Sequence, residues 1–458
     1  MAENYESTLQ YVRQSSKPTD LRITDMKFVD IVGAPMHCIL LKLETNQGLV
    51  GYGEVRDGGD KIYAQMLKGL ILGENPCNID LLFRRIKQFG GYARQAGGVC
   101  GIELALWDLA GKAYGLPVYQ MLGGKFRDKI RVYCDTDVDG KHTGKDMGNA
   151  LKARMEKGFT FLKMDLGIGL LRGMDGMVCS PLGFQQEPAA LREKMVAAQE
   201  AGNSLEARYW QNRMTDYMNI KHMFTGTHIT EKGLDYLENY VKEVRDVIGY
   251  EIPLAIDHFG HICLEDCIKL ARRLEKYNLA WLEDLIPWME TDLYVRLQNS
   301  TAAPIATGED IYLKENFRPL LEAHGVSVIH PDILSSGGIY ENKKIGDMAE
   351  DYGVSMAVHM AESPIAALAC VHSIAATNNF LAMEFHSVDV PWWEDLVTTY
   401  DHKKILDHGW ISVPETPGLG IECLNDEVIA EHISPAVPGM WESTDSFNEA
   451  IRRARSWS

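Results

Sequence analysis

The 458-residue chain carries 46% apolar and 24% charged residues, the balance of a folded globular protein rather than a disordered one. Its formal net charge of −18, with no Lys/Arg run or basic patch, excludes nucleic acid and anionic membranes as expected partners. An anionic small substrate stays compatible, because a bound metal ion and a lysine can override the global field locally.

Met1 to Asp20 is polar, without the apolar stretch of a signal peptide, and no apolar run approaches membrane length. Nine scattered cysteines form no framework of metal-ligand spacing; Cys263 and Cys267 fall in an expected helix beside Leu264 and Ile268 and read as core thiols. A reducing, cytoplasmic setting is the expectation. The length exceeds one usual core, so more than one domain is expected.

From Leu21 to Val55 short apolar runs dominate, and Cys38 to Leu43 and Leu49 to Glu54 flank the turn-like Asn46-Gln47-Gly48, which predicts a hairpin within a meander. Helical periodicity follows from Lys61 to Tyr114, with Leu104, Trp107 and Leu109 on one side, until Gly115-Leu116-Pro117 stops it. Leu122-Gly123-Gly124 marks a boundary before the expected strand Ile130 to Tyr133, placing an N-terminal domain at 1–125 and a second at 126–405. A strand is expected at Phe159 to Met164, yet the next begins only at Ile252, so an insertion spans about 170–230. Its Arg208, Tyr209, Trp210, Arg213 and Tyr217 suit either a cap over an active site or a role in assembly of a homo-oligomer. Gly409 to Glu422 is too rich in Gly and Pro for a helix, and residues 406–458 are expected to return to the N-terminal domain.

Six residues stand at near-constant intervals. Asp257, Glu283, Glu309, Asp332, His359 and Glu384 are 26, 26, 23, 27 and 25 residues apart, and each follows a short apolar run such as Leu254-Ala255-Ile256 or Trp281-Leu282. That interval is one strand-plus-helix unit of a parallel barrel, whose catalytic side chains project from the C-terminal strand ends. Three carboxylates converging from adjacent strands would repel unless a cation held them, so Asp257, Glu283 and Glu309 predict a hard-oxygen site for a divalent ion such as magnesium.

With Ile102 to Lys112, Lys163-Met164-Asp165, Trp281-Leu282-Glu283-Asp284, Thr307-Gly308-Glu309-Asp310, His330-Pro331-Asp332 and Gly337-Gly338, the chain resembles the mandelate racemase subgroup of the enolase superfamily over nearly its whole length. The resemblance implies an α/β fold, a modified TIM (β/α)8 barrel with an N-terminal α+β capping domain. It also implies Mg2+ on Asp257, Glu283 and Glu309, and removal of the proton α to a substrate carboxylate. His359, oriented by Asp332, matches the base of such families, and Glu384 would bind the substrate carboxylate if protonated.

The resemblance breaks on the second barrel strand. A racemase of this subgroup carries two lysines one residue apart, whereas Lys163 is followed by Asp165, so one of two bases is lost. Lys163 can still neutralise the substrate or its enediolate. Several dehydratases of the subgroup carry a histidine two residues past the first metal ligand, but Phe259 stands there; His258 and His261 remain as candidate general acids or supporting residues. The expectation is a dehydratase of a sugar acid giving a 2-keto-3-deoxy product. An epimerase, racemase or cycloisomerase using the same enediolate, and a catalytically inactive sugar-acid binder, are the alternatives.

Overall fold

The structure, a computed structural model, describes residues 20–171, 174–179, 187–219, 228–257 and 262–449. Three antiparallel strands open it: β1 (Ile23–Ile31), β2 (Cys38–Thr45) and β3 (Val50–Val55). The β2–β3 turn closes with the Gly48 amide donating to the Thr45 carbonyl at 3.2 Å, at a φ of +80° that suits glycine. The helix Gly97–Tyr114 lies on this sheet so closely that a Cβ on Gly53 would sit 2.0 Å from the Gly101 carbonyl oxygen. It ends at Gly115 in the left-handed region. The helical stretch expected from Lys61 to Tyr114 is broken into shorter helices, Lys61–Met66, Lys68–Ile71 and Ile79–Ile86 among them, because Gly73 takes φ +75° and the Gly90-Gly91 pair interrupts the run before Gly97.

Eight parallel strands then form the barrel: β4 (Lys129–Tyr133), β5 (Leu162–Asp165), β8 (Leu254–Asp257), β9 (Leu282–Glu283), β10 (Ile305–Thr307), β11 (Val328–Ile329), β12 (Ser355–Val358) and β13 (Phe380–Glu384). Asp165 is thus a strand residue, in register with Asp257. The ring closes where the Asp165 amide donates to the Thr136 carbonyl at 3.0 Å.

Between β5 and β8 lie a short antiparallel pair, β6 (Val178–Cys179) with β7 (His228–Ile229), and the packed helices Glu187–Glu200 and Ser204–Asn219. After the barrel come β14 (Val397–Thr399), β15 (Leu406–Asp407), β16 (Trp410–Ser412) and β17 (Ile421–Leu424). The turn-rich Gly409 to Glu422 holds no helix. Its strand β16 pairs antiparallel with the N-terminal half of β4, wedging into the barrel wall, before Leu419 donates to Asp108 Oδ1 on the helix Gly97–Tyr114 at 2.9 Å. Later residues return to the first sheet, where Met440 bridges Val29. Among the described residues no helix is long and apolar enough to cross a membrane.

Inside the barrel Tyr133, Phe161, Ala255, Trp281, Ala306, Val328, Ala357 and Ala382 form a buried floor. Residues two apart in a strand share a face, so Asp135, Lys163, Asp257, Glu283, His330, His359 and Glu384 stand one layer above it. The N-terminal sheet is clasped to this layer by Glu54 on β3, whose carboxylate takes hydrogen bonds from the Ser363 hydroxyl and amide just beyond His359.

Burial, followed by the charge of Glu362, pushes the Glu54 carboxyl up from 4.5 to about 8. The folded state therefore binds a proton that the unfolded chain releases across that window, so stability should fall as pH rises through it. Glu54→Gln should flatten this decline in melting temperature between about pH 4.5 and pH 8; an unchanged slope would show that Glu54 does not titrate there.

Candidate active site

Lys163 is the centre of the layer. Its Nζ contacts Asp257 Oδ2 at 2.6 Å, Glu384 Oε1 at 2.9 Å and Glu283 Oε2 at 3.1 Å, all four side chains being buried. Burial works against its charge, but these three carboxylates more than offset that and hold the ammonium well above its usual range. Burial would likewise raise Glu384, yet Lys163, His359 and His386 hold it well below the carboxylate norm. In this arrangement Glu384 meets Lys163 as a salt-bridge partner.

Glu283 is braced from three directions. Trp281 Nε1 donates to its Oε2 at 2.8 Å, Lys163 faces the same oxygen, and His330 Nδ1 lies close against Oε1 without hydrogen-bond geometry. The opposite His330 nitrogen shares a 2.6 Å hydrogen bond with the Tyr133 hydroxyl.

Glu309 leaves the alternating pattern because Gly308 precedes it; a Cβ there would lie 2.9 Å from the Phe317 ring and 3.0 Å from the His330 backbone. Asp284 follows Glu283 at φ +48°, an uncommon conformation for a non-glycine residue, and accepts from the Thr307 hydroxyl at 2.6 Å. Glu283, Asp284 and Glu309 each offer an oxygen within 4.8 Å of the others. Burial first, and then the charges of Glu309, Glu283 and Asp257, push the Asp284 carboxyl well above its usual range. Four crowded carboxylates with an unbonded Glu283 Oε1 are a donor set that fits a hard divalent cation.

His359 and Asp332 meet as expected. Nδ1 of His359 lies 2.6 Å from Asp332 Oδ2, while its Nε2 points into the site, 3.3 Å from Glu309 Oε2. The other Asp332 oxygen accepts the Leu334 and Ser335 amides at 2.6 and 3.1 Å, which fixes the carboxylate. Against the lowering effect of burial, Glu309, Glu384 and Asp332 hold the imidazole well above its ordinary pKa. Arg56, on the end of β3, reaches across from the N-terminal sheet to Asp332 Oδ2 at 2.5 Å and towards Glu309 at 3.7 Å. Arg56, Asp257, Glu309, His359, Glu384 and His386 line a cavity of about 90 Å³.

The profile of the N-terminal domain of mandelate racemase and muconate lactonizing enzyme matches residues 17–123, and the enolase C-terminal domain-like profile matches residues 146–428. The chain belongs to the mandelate racemase group of the enolase superfamily. It is 32% identical over 421 residues to a D-xylonate dehydratase of Haloferax volcanii, covering 90% of each chain. A D-galactonate dehydratase of Ralstonia pickettii is 28% identical over 90% of this chain and 96% of its own. A solved mandelate racemase/muconate lactonizing enzyme-like protein from Rubrobacter xylanophilus superposes with a TM-score of 0.75 at 27% identity, covering 92% of this chain and 99% of its own.

For this family member, His258 and His261 lie outside the described residues, as does the Tyr217 side chain. Arg208, Tyr209, Trp210 and Arg213 are described but do not line the cavity; Arg213 lies over the Tyr209 ring and Lys194 over that of Trp210. Arg56, Tyr133 and His386 join the site without a signal among the spaced residues of the sequence. Tyr133 and His386 flank or sit in strand ends, where alternation could have flagged them, whereas nothing local in β3 signals that Arg56 reaches the barrel.

Removing a partner from a buried ion pair strands the other charge, at about 3–5 kcal/mol. Arg56→Ala should therefore lower the unfolding free energy by about 3 kcal/mol in urea titration, with a smaller loss for Arg56→Lys. Equal stability of all three proteins would contradict a structural ion pair between Arg56 and Asp332.

Proposed function

We propose that this protein is a magnesium-dependent dehydratase of a sugar acid, which abstracts the proton α to the carboxylate and eliminates the β-hydroxyl to give a 2-keto-3-deoxy acid. The observation that carries the reading is a single histidine–aspartate dyad, His359–Asp332, aimed at a carboxylate cluster that has Asp165 where a second lysine base would stand. The relatives named as D-xylonate and D-galactonate dehydratases support it.

Asp257, Glu283 and Glu309 would hold the magnesium, with Asp284 beside them. When bound it would supply positive charge that polarises the substrate carboxylate and offsets the negative field that raises the His359 pKa. Asp332 accepts from Nδ1–H and so leaves the Nε2 lone pair facing the site, where it takes the α-proton. The electron pair of the broken C–H bond moves into the carboxylate to form the enediolate, whose charge the Lys163 ammonium helps to balance. As that pair returns, the β-C–O bond breaks, and the proton on Nε2 passes to the departing hydroxyl to make water. The resulting enol tautomerises to the 2-keto acid. One histidine serves as base and then acid, which needs no second lysine.

Glu283→Gln keeps the shape of the side chain but removes a charge, so it should lose both magnesium binding by calorimetry and turnover. Full activity after exhaustive chelation would remove the metal from the proposal. His359→Asn should remain folded and lose about 10²–10⁴-fold in kcat, the usual worth of a general base. A loss below about tenfold would move the base to another residue, Asp165 being next. Screening mono- and diacid sugars for 2-keto product identifies the substrate, and a panel yielding only epimers would favour the isomerase.

A further inference from the structure

A second cluster of metal-ligating side chains lies where the inserted β6–β7 pair meets the helix Leu264–Leu274. His228, on β7, places Nδ1 3.2 Å from Cys263 Sγ and 3.1 Å from Asp266 Oδ2. The three donor atoms lie within 4.8 Å of one another. Cys263 and Asp266 are buried, whereas His228 is half exposed and gives access from solvent. The Ile229 amide donates to Asp266 Oδ2 at 3.0 Å, and Lys269 Nζ contacts Oδ1 at 3.2 Å, so the carboxylate is fixed in place.

The three side chains meet in a compact group of mixed donors. One ring nitrogen, His228 Nδ1, faces both partners, and the Cys263 thiol also reaches the Asp266 carboxylate, so all three donor groups converge on one point. A cation at the point of convergence would take a lone pair from each. The spacing suits zinc, because Zn–S and Zn–N bonds of about 2.3 and 2.0 Å at a tetrahedral angle separate the two ligand atoms by about 3.5 Å. Thiolate, imidazole and carboxylate together select a borderline transition ion over magnesium, which prefers oxygen alone.

We propose that His228, Cys263 and Asp266 form a zinc-class metal site, separate from the carboxylate cluster, with water completing the tetrahedron. Burial holds the Cys263 thiol above its usual pKa, so it binds the ion by releasing its proton to solvent. The ion would clasp the inserted β6–β7 pair to the helix that follows β8, the strand ending in Asp257.

The test uses full-length, reduced, metal-stripped protein loaded with Co2+. The wild type should show thiolate-to-cobalt charge-transfer absorption that Zn2+ removes. Cys263→Ser and His228→Gln should lose the band, while Glu283→Gln, altered in the carboxylate cluster, keeps it. Zn2+ affinity in Cys263→Ser, from competition with a chromophoric chelator, should fall at least about 100-fold, beyond the 10–100-fold that follows loss of an outer-shell partner. A wild type without the band, or a band persisting in Cys263→Ser, overturns the proposal. If that variant fails to fold, His228→Gln at its half-exposed position decides: an undiminished band overturns the site, and its loss supports it.

Discussion

Like-charge repulsion among clustered, largely buried carboxylates is the constraint that the rest of this site answers. Asp257, Glu283, Asp284, Glu309 and Glu384 crowd the mouth of one barrel, where low dielectric strengthens every unscreened pair. The protein supplies counter-charge through Lys163 and His359 within the layer, and from the N-terminal sheet through Arg56. Each of these cations is buried, so each carries a desolvation cost that only its carboxylate partners offset. The cluster and its counter-ions are therefore mutually dependent, and a divalent ion entering the site would redistribute charge throughout it.

The same constraint gives the first sheet a role beyond covering the barrel. Through Arg56 it contacts the aspartate that orients His359, and through Glu54 it holds Ser363, four residues further along. Docking of that sheet is thus coupled to the geometry of the dyad. A displacement of β3 would leave Asp332 with one cation fewer and free the loop behind His359.

Much of the barrel layer was legible because strand geometry has a period of two. Ala255 and Asp257, Trp281 and Glu283, Ala357 and His359, and Ala382 and Glu384 all repeat one pattern: an apolar floor residue followed two positions later by a polar one. Glu309 and Asp332 depart from it, and the reasons lie in the fold: Gly308 permits close backbone approach, and Asp332 turns the chain by accepting two amides. What escaped the sequence depends on long-range pairing. Three residues of β16 carry no readable periodicity, yet β4 recruits them into the barrel wall. Arg56 acquires its role only from a partner 276 positions away, in a site that no local pattern in β3 announces.

The account rests on one claim, that a single histidine removes an α-proton and the intermediate then loses its β-hydroxyl. Turnover of a reactive sugar acid in D2O, followed by NMR, addresses it most directly. The account predicts a 2-keto product with deuterium from solvent at C3, formed by wild type and not by His359→Asn. Recovery of substrate carrying deuterium at its α-carbon, with no 2-keto product, would contradict it.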